Sequence, residues 1–283
     1  MNNILVTGGN GQLGSELREI PPNYLDYNFL FTDVKDLDIT NHSAVAAFIE
    51  SNNITIIINC AAYTAVDKAE EQKDVANAIN HLAVANFAQI AKDKNIKLIH
   101  ISTDYVFDGT NHKPYLETDT PNPKSVYGKT KLDGELAMQQ INPANSIIIR
   151  TSWVYSKFGN NFVNTMLRLA ETRDEISVVV DQIGSPTNAA DLAKVILTVL
   201  PQIKNETVEL FHYSNEGVCS WYDLANAIFE IKGQVIKVIP IDSTQYPTPA
   251  ERPFYSVLNK SRIKQLYNTK IPHWRKSLIK ILN

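Results

Sequence analysis

Short apolar runs alternate with longer amphipathic ones through the first half of the chain. Residues 4–7, 28–33, 55–59, 97–102 and 146–150 are rich in Ile, Leu and Phe and carry few charges. Runs without polar alternation belong to strands covered on both faces, as in a parallel sheet. Between them, 13–20, 43–51, 75–92 and 126–140 carry helical patterns. This βαβα series predicts an α/β protein built on a Rossmann-type doubly wound parallel sheet. The second half is less regular. Helical patterns are expected over 161–172, 189–200 and 221–230, a strand over 208–213, and a proline-marked loop over 246–253. The expected domains are a dinucleotide-binding domain over 1–152, rejoined by part of 177–215, and a second, smaller α/β substrate lobe made mainly of 153–283.

Composition narrows the partners. With 44% hydrophobic and 20% charged residues a packed core is feasible. A net charge of −3 and no long Lys/Arg run argue against nucleic acid or an anionic membrane surface. No apolar run is long enough for a bilayer, and no leader pattern opens the chain. Cys60 and Cys219 are the two cysteines; Cys60 closes an Ile-rich run and reads as a buried thiol, which fits a reducing, cytoplasmic setting.

Candidate chemistry begins at the first strand. Gly8, Gly11 and Gly14 follow it at three-residue spacing, where a helix opens. Glycine permits the tight turn, the close approach of a pyrophosphate and the packing of helix on strand, and the helix N-terminus offers N–H groups to phosphate. Asp33 ends the second strand 19 residues after Gly14, where a carboxylate meets an adenosine ribose. Lys35 is close enough to accept an extra phosphate, so both NADH and NADPH remain open. Downstream, Tyr127 and Lys131 are four residues apart on one helical face. A lysine beside a tyrosine stabilises the phenolate and can hold the nicotinamide ribose, so the pair can deliver a proton to a carbonyl as hydride arrives. Ser102 and Thr103 end a strand, and alternation forbids both hydroxyls from facing the same way. His100 reads as a satisfied core residue and 67–71 as a solvated helix start. Metalloprotease, zinc-ribbon, esterase and P-loop signatures are absent from the sequence, and no metal site is expected.

These words together resemble the extended short-chain dehydrogenase/reductases, and within them the dTDP-4-dehydrorhamnose reductase family. The resemblance rests on the glycine triplet, Tyr127 with Lys131, and the segments 59–70, 102–109, 126–132, 150–155, 159–162, 181–187 and 246–253, which follow in order along nearly the whole chain. It implies reduction of the C4 ketone of a dTDP-sugar with NADPH or NADH, in deoxysugar and polysaccharide precursor synthesis. It implies that Thr103 positions the ketone, Tyr127 donates the proton, and Lys131 supports Tyr127 and the ribose. It further implies a cofactor site of Gly8, Gly11, Gln12, Leu13, Asp33, Asp38, Ile39, Ala62, Tyr63, Thr64, Tyr127 and Lys131, and a sugar-nucleotide site of Thr103, Asp104, Trp153 and Arg252. Some members of this family pair through acidic residues gathered around Mg²⁺. Here Ala190 and the 280–283 end offer no carboxylates, leaving Glu16 and Asp191. The expectation is a monomer or weak homodimer for which Mg²⁺ is not essential. Competing readings are another extended short-chain sugar-nucleotide epimerase or dehydratase, or a non-catalytic NADP-binding regulatory subunit.

Overall fold

A computed structural model describes residues 2–20 and 27–283. The first half alternates as β1 (Asn2–Thr7), α1 (Gln12–Arg18), β2 (Tyr27–Thr32), α2 (His42–Ser51) and β3 (Ile54–Asn59). Then come α3 (Val66–Ala69), α4 (Lys73–Asn77), a π turn (Ala78–Leu82), α5 (Ala83–Lys94), β4 (Lys97–Thr103), α6 (Val126–Ile141) and β5 (Ser146–Thr151). The single helix expected over 75–92 is therefore broken by a π turn, a feature that hydrophobic period does not encode.

The second half holds β6 (Val154–Tyr155), α7 (Phe162–Ala170), β7 (Glu175–Val179), β8 (Ile183–Gly184), β9 (Thr187–Asn188), α8 (Ala189–Val199) and β10 (Glu209–His212). It ends with β11 (Cys219–Ser220), α9 (Trp221–Lys232), β12 (Lys237–Ile241), α10 (Ser261–Tyr267) and α11 (Trp274–Leu282). The main sheet has six strands in the order β10-β5-β4-β3-β1-β2, and every pairing in it is parallel.

Alternation sorts the strand residues onto two apolar faces. Ile4, Val6, Ile56, Ile58, Ile147 and Ile149 pack with Leu17 of α1, Leu192 and Ile196 of α8, and Ile263 of α10. Leu5, Ile57, Leu98 and Ile148 pack with Val45 of α2, Phe87 of α5 and Met138 of α6. That is why the strand centres are mostly Ile, Leu and Val: both faces are covered. The chain thus returns to the main sheet with α8, β10 and α10. A separate core of Val163, Met166, Ile176, Leu224, Ile228 and Leu278 joins α7, α9 and α11 to the short strands β7 and β12.

Candidate active site

The strand ends open on one cleft of about 560 Å³, bordered by Gly8, Asp33, Cys60, Ser102 and Thr151, which lie at or just beyond the carboxyl ends of β1 to β5. Gly8 takes a φ of +64°, and a side chain there would stand 2.8 Å from the Ala61 nitrogen. Gly14 lies against the Gly8 carbonyl, with no room for a side chain. Gly11 caps α1 with no side-chain hydrogen bond, so no side chain covers its first N–H groups. Gln12, Leu13, Asp38, Ile39, Ala62 and Thr64 complete the same wall. Asp33 Oδ2 accepts from the Asn10 N–H at 3.0 Å, which aims the carboxylate across the loop.

Tyr63 stands differently. Its phenol donates to Gln72 Oε1 at 2.8 Å, while Asn80 grips its backbone at both N–H and C=O, at 2.9 and 3.2 Å. Asn80 is fully buried inside the π turn and also reaches the Thr130 hydroxyl of α6. Sequence reasoning missed it; the distortion that places it has no periodic signature.

Ser125 caps α6 through the Gly128 N–H at 3.1 Å, so Tyr127 and Lys131 occupy the first turns of that helix and border the cleft. Burial pushes the Tyr127 phenol up to about 12, while the Thr103 hydroxyl beside it pulls the other way. The hydrogen-bond partners of Lys131 lie on β4. Its Nζ donates to the Ile101 carbonyl at 2.5 Å and lies 3.3 Å from His100 Nε2. Burial lowers Lys131 to about 8, opposed by Glu135 and Cys60. Cys60 is half-buried as a residue and borders the cleft, is packed against the apolar core, and carries a free thiol that burial pushes up to about 12.

The two strand-end hydroxyls part as alternation requires. Ser102 donates to Glu135, which Arg150 holds at 2.6 Å in a buried ion pair. Thr103 donates to Asp104 Oδ1 at 3.1 Å and accepts from the Tyr105 N–H at 3.2 Å. It is tucked beside Tyr127, whereas Ser102 borders the cleft itself. Asp104 is 2% exposed, and its Oδ2 has no hydrogen-bond partner among the described residues. Burial pushes its carboxyl up to about 6, with the Thr103 hydrogen bond and the nearby Ser256 hydroxyl pulling the other way.

Across the seam, Trp153 takes a φ of +49° and stacks on Trp221 with ring centres 3.6 Å apart. A non-glycine residue held there marks a site whose geometry the surroundings impose. The reading of 67–71 as a solvated helix start is corrected here. Asp67 closes on Arg252 at 2.9 Å and also accepts the Ala250 N–H, tying the proline loop to α3. Arg252 thus already has one carboxylate partner.

Glu16 accepts from Ser156 at 2.6 Å, and Asp191 is held by Asn215 and Ser277. Among the described residues no three His, Cys, Asp or Glu gather as a cation site. No described helix is long and apolar enough to cross a membrane.

A glycine-cradled parallel sheet with Tyr127 and Lys131 at its strand ends defines the short-chain dehydrogenase/reductase class of Rossmann folds. Comparison with known proteins agrees and is more specific. The family described as RmlD substrate binding domain matches residues 1–283, and the chain belongs to that family. A dTDP-4-dehydrorhamnose reductase of Aggregatibacter actinomycetemcomitans is 42% identical, the match covering 98% of this chain and 97% of the relative. Among solved structures, a dTDP-4-dehydrorhamnose reductase from Clostridium acetobutylicum shares 44% identity at a TM-score of 0.93, covering 99% of this chain and 98% of that one. Another, from Bacillus anthracis and in complex with NADP, shares 39% identity at a TM-score of 0.94, with 99% of each chain covered.

Proposed function

We propose that this chain is an NAD(P)H-dependent oxidoreductase that reduces the C4 ketone of dTDP-4-dehydro-L-rhamnose to dTDP-L-rhamnose. The observation that carries the reading is the pairing of a glycine-walled cleft with a buried phenol at its strand ends. The crowded Gly8 and Gly14 and the uncovered start of α1 fit a dinucleotide pyrophosphate against Gly11, Gln12 and Leu13. Asp33, Asp38 and Ile39 flank the adenosine, and Ala62, Tyr63 and Thr64 form the floor, Tyr63 through its backbone. The bound cofactor supplies the hydride.

The protein supplies the rest. A reduction needs a donor that still holds its proton at neutral pH, and burial keeps the Tyr127 phenol protonated. Such general acid help is worth about 10²–10⁴-fold. Thr103 hydrogen-bonds the ketone oxygen, and Lys131 holds the ribose and orders the phenol's surroundings. Asp104 and Trp153 meet the sugar from either side of the seam. Arg252, steered by Asp67, meets the diphosphate, for which a guanidinium has the right geometry.

In this account residues 1–152, with the returning segments, bind the cofactor, and 153–283 supply most of the substrate lobe. The chain works in the cytoplasm as a monomer or weak homodimer without need of Mg²⁺, a reading supported by the engagement of Glu16 and Asp191 with neighbouring side chains. The test is incubation with the 4-keto sugar nucleotide and each reduced cofactor. Ketone-dependent loss of reduced-nicotinamide absorbance is expected with at least one. No oxidation with either would refute the proposal.

A further inference from the structure

We infer that His100 is a positioning residue for Lys131, and that the tautomer of its ring follows whether Lys131 carries its proton. The kinetic part of this inference rests on the proposed reduction; the structural part does not.

Four side chains form one buried line across the sheet. Thr7, Asn59 and His100 are register partners on β1, β3 and β4, and all are at most 1% exposed. Thr7 Oγ1 lies 2.7 Å from Asn59 Oδ1, Asn59 Nδ2 lies 3.1 Å from His100 Nδ1, and His100 Nε2 lies 3.3 Å from Lys131 Nζ. Burial, and then the charge of Lys131, hold the His100 imidazolium well below its usual range, so the ring is neutral. A neutral ring has one N–H and one lone pair.

The line therefore has two self-consistent polarities. An ammonium only donates. With Lys131 charged, Nζ donates to the Ile101 carbonyl and to His100 Nε2. The ring proton must then sit on Nδ1 and donate to the amide oxygen of Asn59, whose NH₂ turns to Thr7. With Lys131 neutral, Nε2–H donates to Nζ, Nδ1 accepts from the Asn59 NH₂, and Thr7 donates to the Asn59 oxygen. A half turn of the Asn59 amide separates the two. Asn59 can serve both because its two ends are near-isosteric.

The arrangement fixes two of the three ammonium hydrogens against β4. It holds a flexible four-carbon side chain in one direction at the cleft wall, where a free lysine would spread over several rotamers. The other titratable and charged groups around Lys131 are Glu135 one turn on along α6 and Cys60 beyond β3, with Tyr127 one turn back on the same cleft wall and Arg150 of β5 behind Glu135. None of these replaces a ring nitrogen as acceptor.

The test uses the whole chain with ¹⁵N-labelled histidine, reading both His100 ring nitrogens by NMR from pH 6 to pH 10. The ring is expected to carry its proton on Nδ1 at low pH and to convert to Nε2–H with a midpoint near the lysine value of about 8. In Lys131→Met the conversion should vanish. A tautomer that stays constant in the unmodified chain, or a conversion that persists in Lys131→Met, would overturn the inference. As a second arm, His100→Leu removes an acceptor from the ammonium. It should move the alkaline limb of ketone reduction down by about one pH unit, whereas an unmoved limb would overturn the positioning role. If the tautomer follows Lys131 but no ketone is reduced, the proposed function fails and the linkage of His100 to Lys131 stands.

Discussion

Ser102 and Glu135 share a buried hydrogen bond that turns the Ser102 hydroxyl onto the carboxylate, although Ser102 borders the cleft. Thr103, one residue on, points to the other face of β4 and keeps its hydroxyl beside Tyr127.

The two hydroxyls should therefore separate in mutagenesis. Thr103→Val keeps the shape and removes the donor, so kcat should fall by about 10²-fold, the usual scale for losing one oxyanion-side hydrogen bond. Ser102→Ala should leave kcat within a few-fold and lower stability by about 1 kcal/mol. Steady-state kinetics and denaturant unfolding of both variants check this. A larger kcat loss in Ser102→Ala would reverse the assignment.

The Arg252–Asp67 pair links the proline loop to α3, and both partners are partly open to solvent. Its stability value is small for that reason; in the proposed site it directs the guanidinium. Arg252→Ala should raise KM for the sugar nucleotide by more than about 10-fold. Asp67→Ala, which leaves the guanidinium unsteered, should raise it less, with kcat nearly intact in both. Equal KM values for Asp67→Ala and the unmodified chain would show that the pair does not steer.

Asp104 should give stability a pH dependence of predictable sign. Burial raises its carboxyl from the ordinary 3.8 to about 6 in the folded chain. Between those values the unfolded chain has released a proton that the folded chain retains. Asp104 therefore contributes fully at acid pH, and that contribution is lost as pH rises through about 6. Asp104→Asn removes the titration. It should stabilise the protein by at most about 2–3 kcal/mol above that window and by nothing below it. Unfolding midpoints of both proteins from acid to neutral pH check the crossing; a constant difference would remove Asp104 as the source.

Asp33, fixed by the Asn10 N–H, presents a negative charge where an adenosine ribose would lie. It opposes a 2′-phosphate, and the exposed Lys35 partly offsets it. Asp33→Asn should shift preference toward NADPH. The ratio of kcat/KM for the two cofactors measures this, and an unchanged ratio would mean that Asp33 faces elsewhere.

What could be read from the sequence was local. The glycine spacing after β1 and the four-residue step from Tyr127 to Lys131 are constraints within a single turn or helix face, so they survive translation into structure. The parallel sheet was legible because both of its faces are buried and its strands show it in composition. What was not legible depends on distant partners. Asp67 meets Arg252 across 185 positions, so 67–71 looked like solvated charge. Lys131 turns to His100 because β4 passes behind α6, a fact of packing that its own helix does not encode. Asn80 is placed by a π turn inside what reads as one uninterrupted helix.

The central claim is that Tyr127 delivers the proton to a sugar-nucleotide ketone. It is tested most directly by single-turnover reduction of dTDP-4-dehydro-L-rhamnose by Tyr127→Phe, with reduced-cofactor binding followed by nicotinamide fluorescence in the same samples. The expected rate is about 10²–10⁴-fold below that of the unmodified chain, with cofactor affinity retained. A Phe variant that turns over at a near-normal rate would contradict the claim.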